Sequence, residues 1–144
     1  MGAGIIIIND QKSVLALITH NGLYDLPKGK AESTESVFET AQRECFEECD
    51  LWIEPKDLLY PTYLNRNGTN IFLAKKPSDQ CVEIKINKET NRAEHIGYCW
   101  ISFEEFLRNT YPFLKVHLKW ASACLLYTSP SPRDRSLSRM PSSA

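Results

Sequence analysis

Four charged side chains lie close together in one stretch of the sequence. Residues 29–51 contain Arg43, Glu44, Glu47 and Glu48 within little more than one helical turn. Residues three and four apart on a helix are surface neighbours, so the glutamates should point the same way and Arg43 should reach Glu47. Clustered carboxylates repel one another unless a counter-charge is present, and hard divalent cations prefer oxygen ligands. The pattern predicts a Mg²⁺ site, and the alternative is an acidic helix face exposed to solvent.

The spacing of the whole stretch favours the metal site. It resembles the Nudix box, which reads Gly, five residues, Glu, seven residues, and then Arg-Glu-apolar-any-Glu-Glu-any-Gly-apolar. The matching positions are Gly29, Glu35, Arg43, Glu44, Cys45, Glu47, Glu48 and Leu51. Asp50 departs from the pattern, because it stands where the family has glycine. Asp tolerates the left-handed conformation that a helix C-terminus requires, so we expect a cost of about 1 kcal/mol in stability and no loss of chemistry.

The resemblance implies a fold, a reaction and a cofactor. The fold is the α/β Nudix fold, with a mixed β-sheet sandwiched between helices. The reaction is Mg²⁺-dependent hydrolysis of a pyrophosphate bond in a nucleoside diphosphate linked to another moiety, with Mn²⁺ as a second candidate ion. By position, Glu44, Glu47 and Glu48 resemble the family's metal ligands, and the backbone carbonyl of Lys28 is a further candidate.

A fifth acid lies far along the chain from the helix. Glu94 precedes Trp100 by six residues, which is similar to the loop acid ahead of a Trp-bearing strand in many Nudix hydrolases. The resemblance makes Glu94 another metal ligand or the base, and either Glu47 or Glu94 could accept the proton of the attacking water. The alternative is a surface carboxylate. The candidate catalytic residues are Arg43, Glu44, Glu47, Glu48 and Glu94.

Residues 27–30, Pro-Lys-Gly-Lys, are predicted to form the loop that feeds the helix. Lys28 and Lys30 can offset phosphate charge, and Gly29 permits close approach of the backbone to a ligand. In the resemblance Glu35 mainly braces this loop. Tyr63 is a candidate for stacking on a base, like the neighbouring aromatic residues at positions 60 and 72, although all three could equally belong to the sheet core.

Three features look most like the small asymmetric diadenosine tetraphosphate hydrolases: the loop at residues 27–30, the Val-Glu-Ile-Lys run at 82–85, and Glu94-His95 ahead of Trp100. The sequence departs from that group in its shorter N-terminal region and in Tyr24-Asp25. We therefore favour a dinucleoside polyphosphate as substrate. The alternatives are a nucleotide or ADP-ribose sensor without catalysis, and hydrolysis of capped RNA or of oxidised nucleoside triphosphates.

Composition limits the class of protein. The 144 residues are 42% hydrophobic and 24% charged with a net charge of −1, which suits one globular domain without general attraction to nucleic acid. The five cysteines include no CxxC pair, which is typical of a reduced, cytoplasmic protein without a zinc site. The apolar run at residues 5–8 is too short for a membrane span, so no membrane partner is expected.

Composition changes at residue 124. The segment CLLYTSPSPRDRSLSRMPSSA is rich in Ser, Pro and Arg and contains no core pattern. Its first part is identified as one reading frame of a transposase sequencing adapter, and SRMPSSA matches the flow-cell primer sequence that follows it. We therefore interpret residues 124–144 as translated adapter read-through forming an artefactual, disordered tail. Residues 1–123 are then the Nudix domain, and its last helix is expected to be truncated.

Hydrophobic periodicity and turn residues predict the remaining elements. A helix should begin after Ser36, with Glu39 completing a capping box, and Ser102 should cap another helix. An Asn-Gly turn should join two strands. The predicted strands are 3–8, 14–19, 23–26, 58–64, 69–74, 81–86 and 98–101, and the later helices are 103–108 and one from residue 112 onward.

Overall fold

The chain folds into a mixed β-sheet with helices packed on both faces. The computed structural model describes residues 2–60, 63–77, 82–87 and 90–128. The strands are β1 (Gly2–Ile8), β2 (Val14–Thr19), β3 (Tyr24–Asp25), β4 (Lys28–Lys30), β5 (Leu64–Arg66), β6 (Thr69–Lys75), β7 (Ile86–Asn87), β8 (Arg92–Ala93) and β9 (His95–Ile101). The helices are α1 (Val37–Cys49), α2 (Phe103–Arg108) and α3 (Pro112–Thr128), with a 3₁₀ turn at Pro55–Asp57.

Strand β1 is the centre of the sheet. It runs parallel to β6 along its whole length, and it pairs antiparallel with β4 at its start and with β2 at its end. Strand β2 in turn pairs antiparallel with β3 and β9. Parallel neighbours need a long crossover connection, and here the crossover between β1 and β6 contains α1. The helix with the acidic cluster is thereby held against the middle of the sheet.

The four consecutive isoleucines of β1 explain how the sheet is covered on both faces. Ile5 and Ile7 belong to the core beneath α1, whereas Ile6 and Ile8 belong to the opposite core beneath α2 and α3. All four are fully or almost fully buried. A strand buried on both faces has a continuous apolar run in place of an alternating one. The predicted mixed sheet between helices is therefore confirmed.

Helix α1 begins and ends as the sequence predicts. Ser36 accepts a hydrogen bond from the Glu39 N–H, and the Glu39 carboxylate accepts one from the Ser36 N–H, which completes the capping box. At the other end Asp50 adopts the left-handed conformation, with φ 63°. Its carboxylate lies 3.0 Å from the Lys85 ammonium, an ion pair that offsets an anion at the negative end of the helix dipole.

Asp50→Gly is expected to stabilise the protein by about 0.5 to 1 kcal/mol. Glycine removes the left-handed strain of about 1 kcal/mol, while the lost ion pair with Lys85 is partly exposed and contributes less than that. Urea denaturation of the wild type and the variant measures the difference. Lys85→Ala is the control that removes only the ion pair and its contact with the Phe46 ring. A destabilised Asp50→Gly variant would contradict the expectation.

Several predicted elements differ from the observed ones. Residues 27–30 are not only a loop, because Lys28–Lys30 forms β4 against β1. Strand β9 begins at His95, earlier than predicted. Among its described residues, the predicted strand 58–64 coincides with a strand only at Leu64, where β5 begins. The Asn67-Gly68 turn of the hairpin has both residues at positive φ, as a two-residue hairpin loop requires. Residues 61 and 62 lie outside the described part of the chain.

The predicted strand 81–86 is wrong for residues 82–85. The N–H groups of Glu83 and Lys85 donate to the carbonyls of Cys49 and Glu48 at the end of α1. This segment therefore satisfies helix carbonyls that would otherwise lack partners, and only Ile86 enters a strand, β7, which pairs with β8. Residue 81 lies outside the described part of the chain.

Helix α3 extends to Thr128, so the first five residues of the segment interpreted as a tail are helical. Cys124 and Leu125 pack against the core beneath α2 and α3. Residues 129–144 lie outside the described part of the chain, and the domain boundary at residue 123 stays a prediction. Within the described residues, no helix is both long enough and apolar enough to cross a membrane.

Candidate active site

An open cleft of about 850 Å³ lies between α1, β4 and the turn that precedes β9. Its charged lining consists of Glu32, Glu44, Glu47, Glu48, Glu94, Lys28, Lys30, Arg43 and Lys85. Three separate parts of the chain therefore bring their predicted site residues to one place. Glu44, Glu47 and Glu48 of α1 face this cleft, as helical spacing predicts.

Arg43 joins the acidic residues to the loop that precedes α1. Its Nε donates to Glu35 Oε2 at 2.5 Å and its Nη2 donates to Glu35 Oε1 at 3.0 Å, which is a bidentate pair. Its Nη1 donates to Glu44 at 3.0 Å and to Glu47 at 3.2 Å. Its Nη2 also donates to the Lys30 carbonyl at 2.9 Å. One guanidinium thus orients two cleft carboxylates and fixes β4 to the helix.

Glu35 fastens the loop between β4 and α1. Besides Arg43, its carboxylate accepts hydrogen bonds from the Glu32 N–H and the Thr40 hydroxyl. The bond from Arg43, aided by these two, lowers the pKa of Glu35 to about 2. Glu35 therefore stays ionised over the whole physiological range.

Gly29 is required by a contact within the protein. A Cβ at this position would lie 2.0 Å from the Glu44 carboxyl carbon, far inside van der Waals contact. The sequence suggested that Gly29 lets a ligand approach the backbone, and the structure places the Glu44 side chain in that space. The glycine thereby allows Glu44 to pack against β4.

Glu48 is the most buried acid of the cleft, with 7% of its surface exposed. Burial, together with the charges of Glu94 and Glu44, raises the pKa of Glu48 to about 10. Its Oε1 is buried and has no hydrogen-bond partner among the described residues. Burial also raises the pKa of Glu44, although Arg43 acts in the opposite direction. Glu48 thus lies where burial outweighs the positive charge of Lys28, whereas Glu44 keeps Arg43 as its partner.

This donor set fits a divalent cation. An unpartnered buried carboxylate oxygen beside two other carboxylates is the arrangement that a hard cation relieves. Within the part of the chain that the structure describes, no three His, Cys, Asp or Glu side chains already surround a single point at metal-binding distance. The acids therefore line one cleft and would need to converge further around an ion, which their mutual repulsion opposes until the ion is bound.

Two buried residues at the cleft, Asp25 and His95, were not among the predicted site residues. Asp25 accepts hydrogen bonds from Lys28 and from Nε2 of His95, and the latter bond is 3.0 Å long. Burial alone would raise the pKa of Asp25. The bond from His95 and the charge of Lys28 outweigh burial and hold this pKa below its ordinary value. The position of His95 directly after the predicted acid Glu94 was the available signal for this pair.

Aromatic rings approach the cleft beside Lys28 in a second hollow of about 370 Å³. The Lys28 ammonium lies 5.9 Å from the ring centroids of both Tyr111 and Phe113, and these two rings stack at 5.8 Å. Glu94 and His95 border both hollows. These rings were not predicted as site residues, because they lie more than 80 residues from Lys28 along the chain.

The aromatic residues proposed for base stacking lie elsewhere. Phe72 is buried in the core beneath α1, so the expectation that it stacks a base is wrong and the alternative of a core residue is right. Tyr60 packs in the opposite core, 6.5 Å from the Trp120 ring. Tyr63 is 40% exposed and rests on Phe72, but it does not line the acidic cleft. Its contact with substrate stays a prediction.

The chain is similar to known proteins both in sequence and in fold. A family model described as NUDIX domain matches residues 1–121. A C. elegans Ap4A hydrolase in a binary complex superposes with a TM-score of 0.69 at 21% identity, covering 88% of this chain and 99% of that chain. The E. coli dihydroneopterin triphosphate pyrophosphohydrolase gives 0.62 at 17% identity, covering 88% and 92%. An ADP-ribose pyrophosphatase from Streptococcus suis gives 0.60 at 16% identity, covering 95% of each. These three structures share the fold.

Proposed function

The chain belongs to the NUDIX domain family and is classed with the Nudix hydrolases, and from this premise we propose that it hydrolyses a pyrophosphate bond in a nucleoside diphosphate linked to another moiety. The observation that carries the proposal is the cleft in which Glu44, Glu47 and Glu48 meet Glu94 beside Arg43. A binding protein would not need this full set of acids. The cleft volume of about 850 Å³ is also ample for a nucleotide.

Nudix hydrolases generally use divalent metal ions, and we propose Mg²⁺ here, with Mn²⁺ as a substitute. The residues that would hold it are Glu44, Glu47, Glu48 and Glu94, with the Lys28 carbonyl as a further ligand. When bound, a divalent ion supplies charge neutralisation at phosphate oxygens and activation of water. The unpartnered Glu48 oxygen supports this assignment.

The charged side chains of the cleft have three further roles, which are to bind substrate phosphates, to orient a carboxylate and to accept a proton. Lys28 and Lys30 bring positive charge to the cleft wall, where they offset the charge of substrate phosphates. Arg43 holds Glu47 through a charge-assisted hydrogen bond. Either Glu47 or Glu94 accepts the proton of the attacking water, because both line the cleft and both are exposed to it.

Within this reaction class we propose a dinucleoside polyphosphate as the substrate. The C. elegans Ap4A hydrolase has the same fold over nearly its whole length, which supports this choice. The net charge of −1 offers no general attraction for RNA, so a capped RNA is a weaker candidate. We also propose a cytoplasmic location, because the buried Cys45 and Cys49 are free thiols with their sulfurs 3.7 Å apart.

The test is a substrate panel with the purified full chain. Diadenosine tetraphosphate, ADP-ribose, a nucleotide sugar, a cap analogue and nucleoside triphosphates are each incubated with Mg²⁺, and the products are separated by chromatography. We expect turnover, fastest with diadenosine tetraphosphate, and loss of most of it in Glu44→Gln. If the wild type releases no product from any compound yet binds one of them, the protein is a sensor and the hydrolase proposal is wrong.

A further inference from the structure

A buried pair of side chains, Asp25 and His95, lies between the Lys28 ammonium and the Glu48 carboxylate. Asp25 is 5% exposed and His95 is 3% exposed, although they are 70 residues apart in sequence. Building on the proposed function, we propose that Asp25 and His95 are positioning residues, which hold Glu48 and the turn containing Glu94 in place at the cleft. Neither residue touches the reacting groups in this role.

The Asp25 carboxylate is fixed by four contacts. Its Oδ1 accepts from the Leu26 N–H at 2.8 Å and lies 3.0 Å from the Lys28 ammonium. Its Oδ2 accepts from Lys28 at 3.2 Å and from Nε2 of His95 at 3.0 Å. A carboxylate with both oxygens bonded in this way cannot rotate without losing charge-assisted hydrogen bonds. Asp25 is therefore a rigid support for the imidazole ring.

The bond to Asp25 determines how the His95 ring faces the cleft. Because an ionised Asp25 can only accept, the hydrogen is assigned to Nε2 and the opposite edge of the ring carries Nδ1. Nδ1 lies 3.9 Å from Glu48 Oε1, which is too long for a hydrogen bond but close enough for the ring to form one wall beside that oxygen. Oε1 has no hydrogen-bond partner among the described residues, so in this proposal the ring wall limits the rotation of the carboxylate.

The same pair holds Glu94 through the backbone. Strand β9 pairs with β2, but the register shifts between Ile18 and Thr19, and His95 pairs with Thr19 beyond that shift. The ladder is therefore irregular at the point where Glu94 enters the cleft. The His95 side chain, anchored on Asp25, supplies a fixed point next to Glu94. One buried contact thus holds acids that come from two different elements.

A purely structural role would not require these residue types. A buried polar or ionic pair often stabilises a protein no more than a well-packed apolar pair of similar volume. Groups that orient metal ligands without binding the metal are a recognised part of such sites, and their loss typically reduces metal affinity or activity about 10- to 100-fold. The two roles can be separated, because a structural role affects unfolding whereas a positioning role affects the metal and the reaction.

The experiment compares His95→Gln and Asp25→Asn with the wild-type full chain. Gln keeps a donor that can reach Asp25 but removes the ring edge beside Glu48, and Asn at position 25 conserves volume. His117→Gln is the matched control, because His117 is equally buried but lies in the opposite core, bonded to the Thr69 carbonyl. Mn²⁺ binding is measured by electron paramagnetic resonance, stability by thermal unfolding in EDTA, and kinetics with diadenosine tetraphosphate and Mg²⁺.

We expect both site variants to bind Mn²⁺ about 10-fold more weakly or worse and to lose kcat by a similar factor with a much smaller change in KM. Their unfolding temperatures should fall no more than that of His117→Gln. Wild-type Mn²⁺ affinity and kcat in both site variants would overturn the positioning role, as would loss of activity that only follows loss of stability.

Crystal structures of the metal-free wild type and His95→Gln separate this inference from the proposed function. If the Glu48 side chain leaves its position in the variant while β3 and β9 stay in place, the positioning role is supported, even if no compound in the panel is hydrolysed. An unmoved Glu48 overturns it even if the wild type is an active hydrolase.

Discussion

Glu48→Gln is expected to remove nearly all hydrolysis while making the metal-free protein more stable. The carboxylate is buried with one unpartnered oxygen, and its pKa is raised to about 10. Glutamine has nearly the same shape but no charge, so it avoids the desolvation cost while losing the anionic ligand. We expect kcat to fall by more than about 100-fold, which exceeds the usual effect of residues that only support a metal ligand.

The stability gain should depend on pH in a defined direction. The ordinary pKa of Glu48 is 4.5, so the folded protein binds its proton more tightly than the unfolded chain does. The resulting contribution to stability is complete below pH 4.5 and is lost as pH rises towards about 10. Glutamine has no such proton to lose. In EDTA, thermal unfolding at about pH 5, 7 and 9 should therefore show an advantage of Glu48→Gln that grows with pH.

Glu47→Gln is the control for this prediction. Glu47 lies on the same helix face but its side chain is 55% exposed, so its replacement should reduce hydrolysis without the stability gain expected for Glu48→Gln. Saturating Mg²⁺ should stabilise the wild type more than Glu48→Gln, because only the wild type keeps the full ligand set. A stability difference that is constant with pH, or a Glu48→Gln enzyme with wild-type kcat, would contradict the assignment.

Local sequence patterns predicted the elements whose partners are near in sequence. The capping box of Ser36 and Glu39 and the Asn67-Gly68 hairpin loop need only residues within one turn, and both were confirmed. The acidic face of α1 follows from helical spacing in the same way. The apolar run of β1 also identified a strand buried on both faces, since few other structures accommodate four consecutive isoleucines.

Long-range contacts account for what the sequence did not reveal. The segment before β7 alternates like a strand, but its N–H groups bond to carbonyls at the end of α1, and no local pattern encodes that partner. Asp25 and His95 meet only because β3 and β9 both pair with β2. Arg43 was expected to orient Glu47. Its bidentate pair with Glu35 was not predicted, because it depends on how the loop before α1 packs against the helix.

Arg43→Ala is expected to reduce both stability and hydrolysis. It leaves Glu35 and Glu44 without their cation, and the side chains of these two acids are only 16% and 13% exposed. Hydrogen bonds to charged groups contribute about 1.5 to 3 kcal/mol each, so we expect a net loss of about 2 to 3 kcal/mol after relaxation. Arg43→Lys should lose somewhat less, because lysine keeps the charge but cannot form the bidentate pair. Urea denaturation at about pH 7 measures both variants.

The pH dependence identifies the Glu35 pair as the source of that loss. The pKa of Glu35 is lowered from 4.5 to about 2, so its contribution to stability is present above pH 4.5 and is lost as pH falls towards 2. The gap between wild type and Arg43→Ala should therefore narrow over this acidic range. Arg108→Ala is the matched control, because Arg108 and Glu104 form a pair that is 70% and 80% exposed and should contribute less than about 0.5 kcal/mol. If Arg43→Ala were as mild as Arg108→Ala, the guanidinium would not hold the loop to the helix, and the geometry of the cleft acids would need another origin.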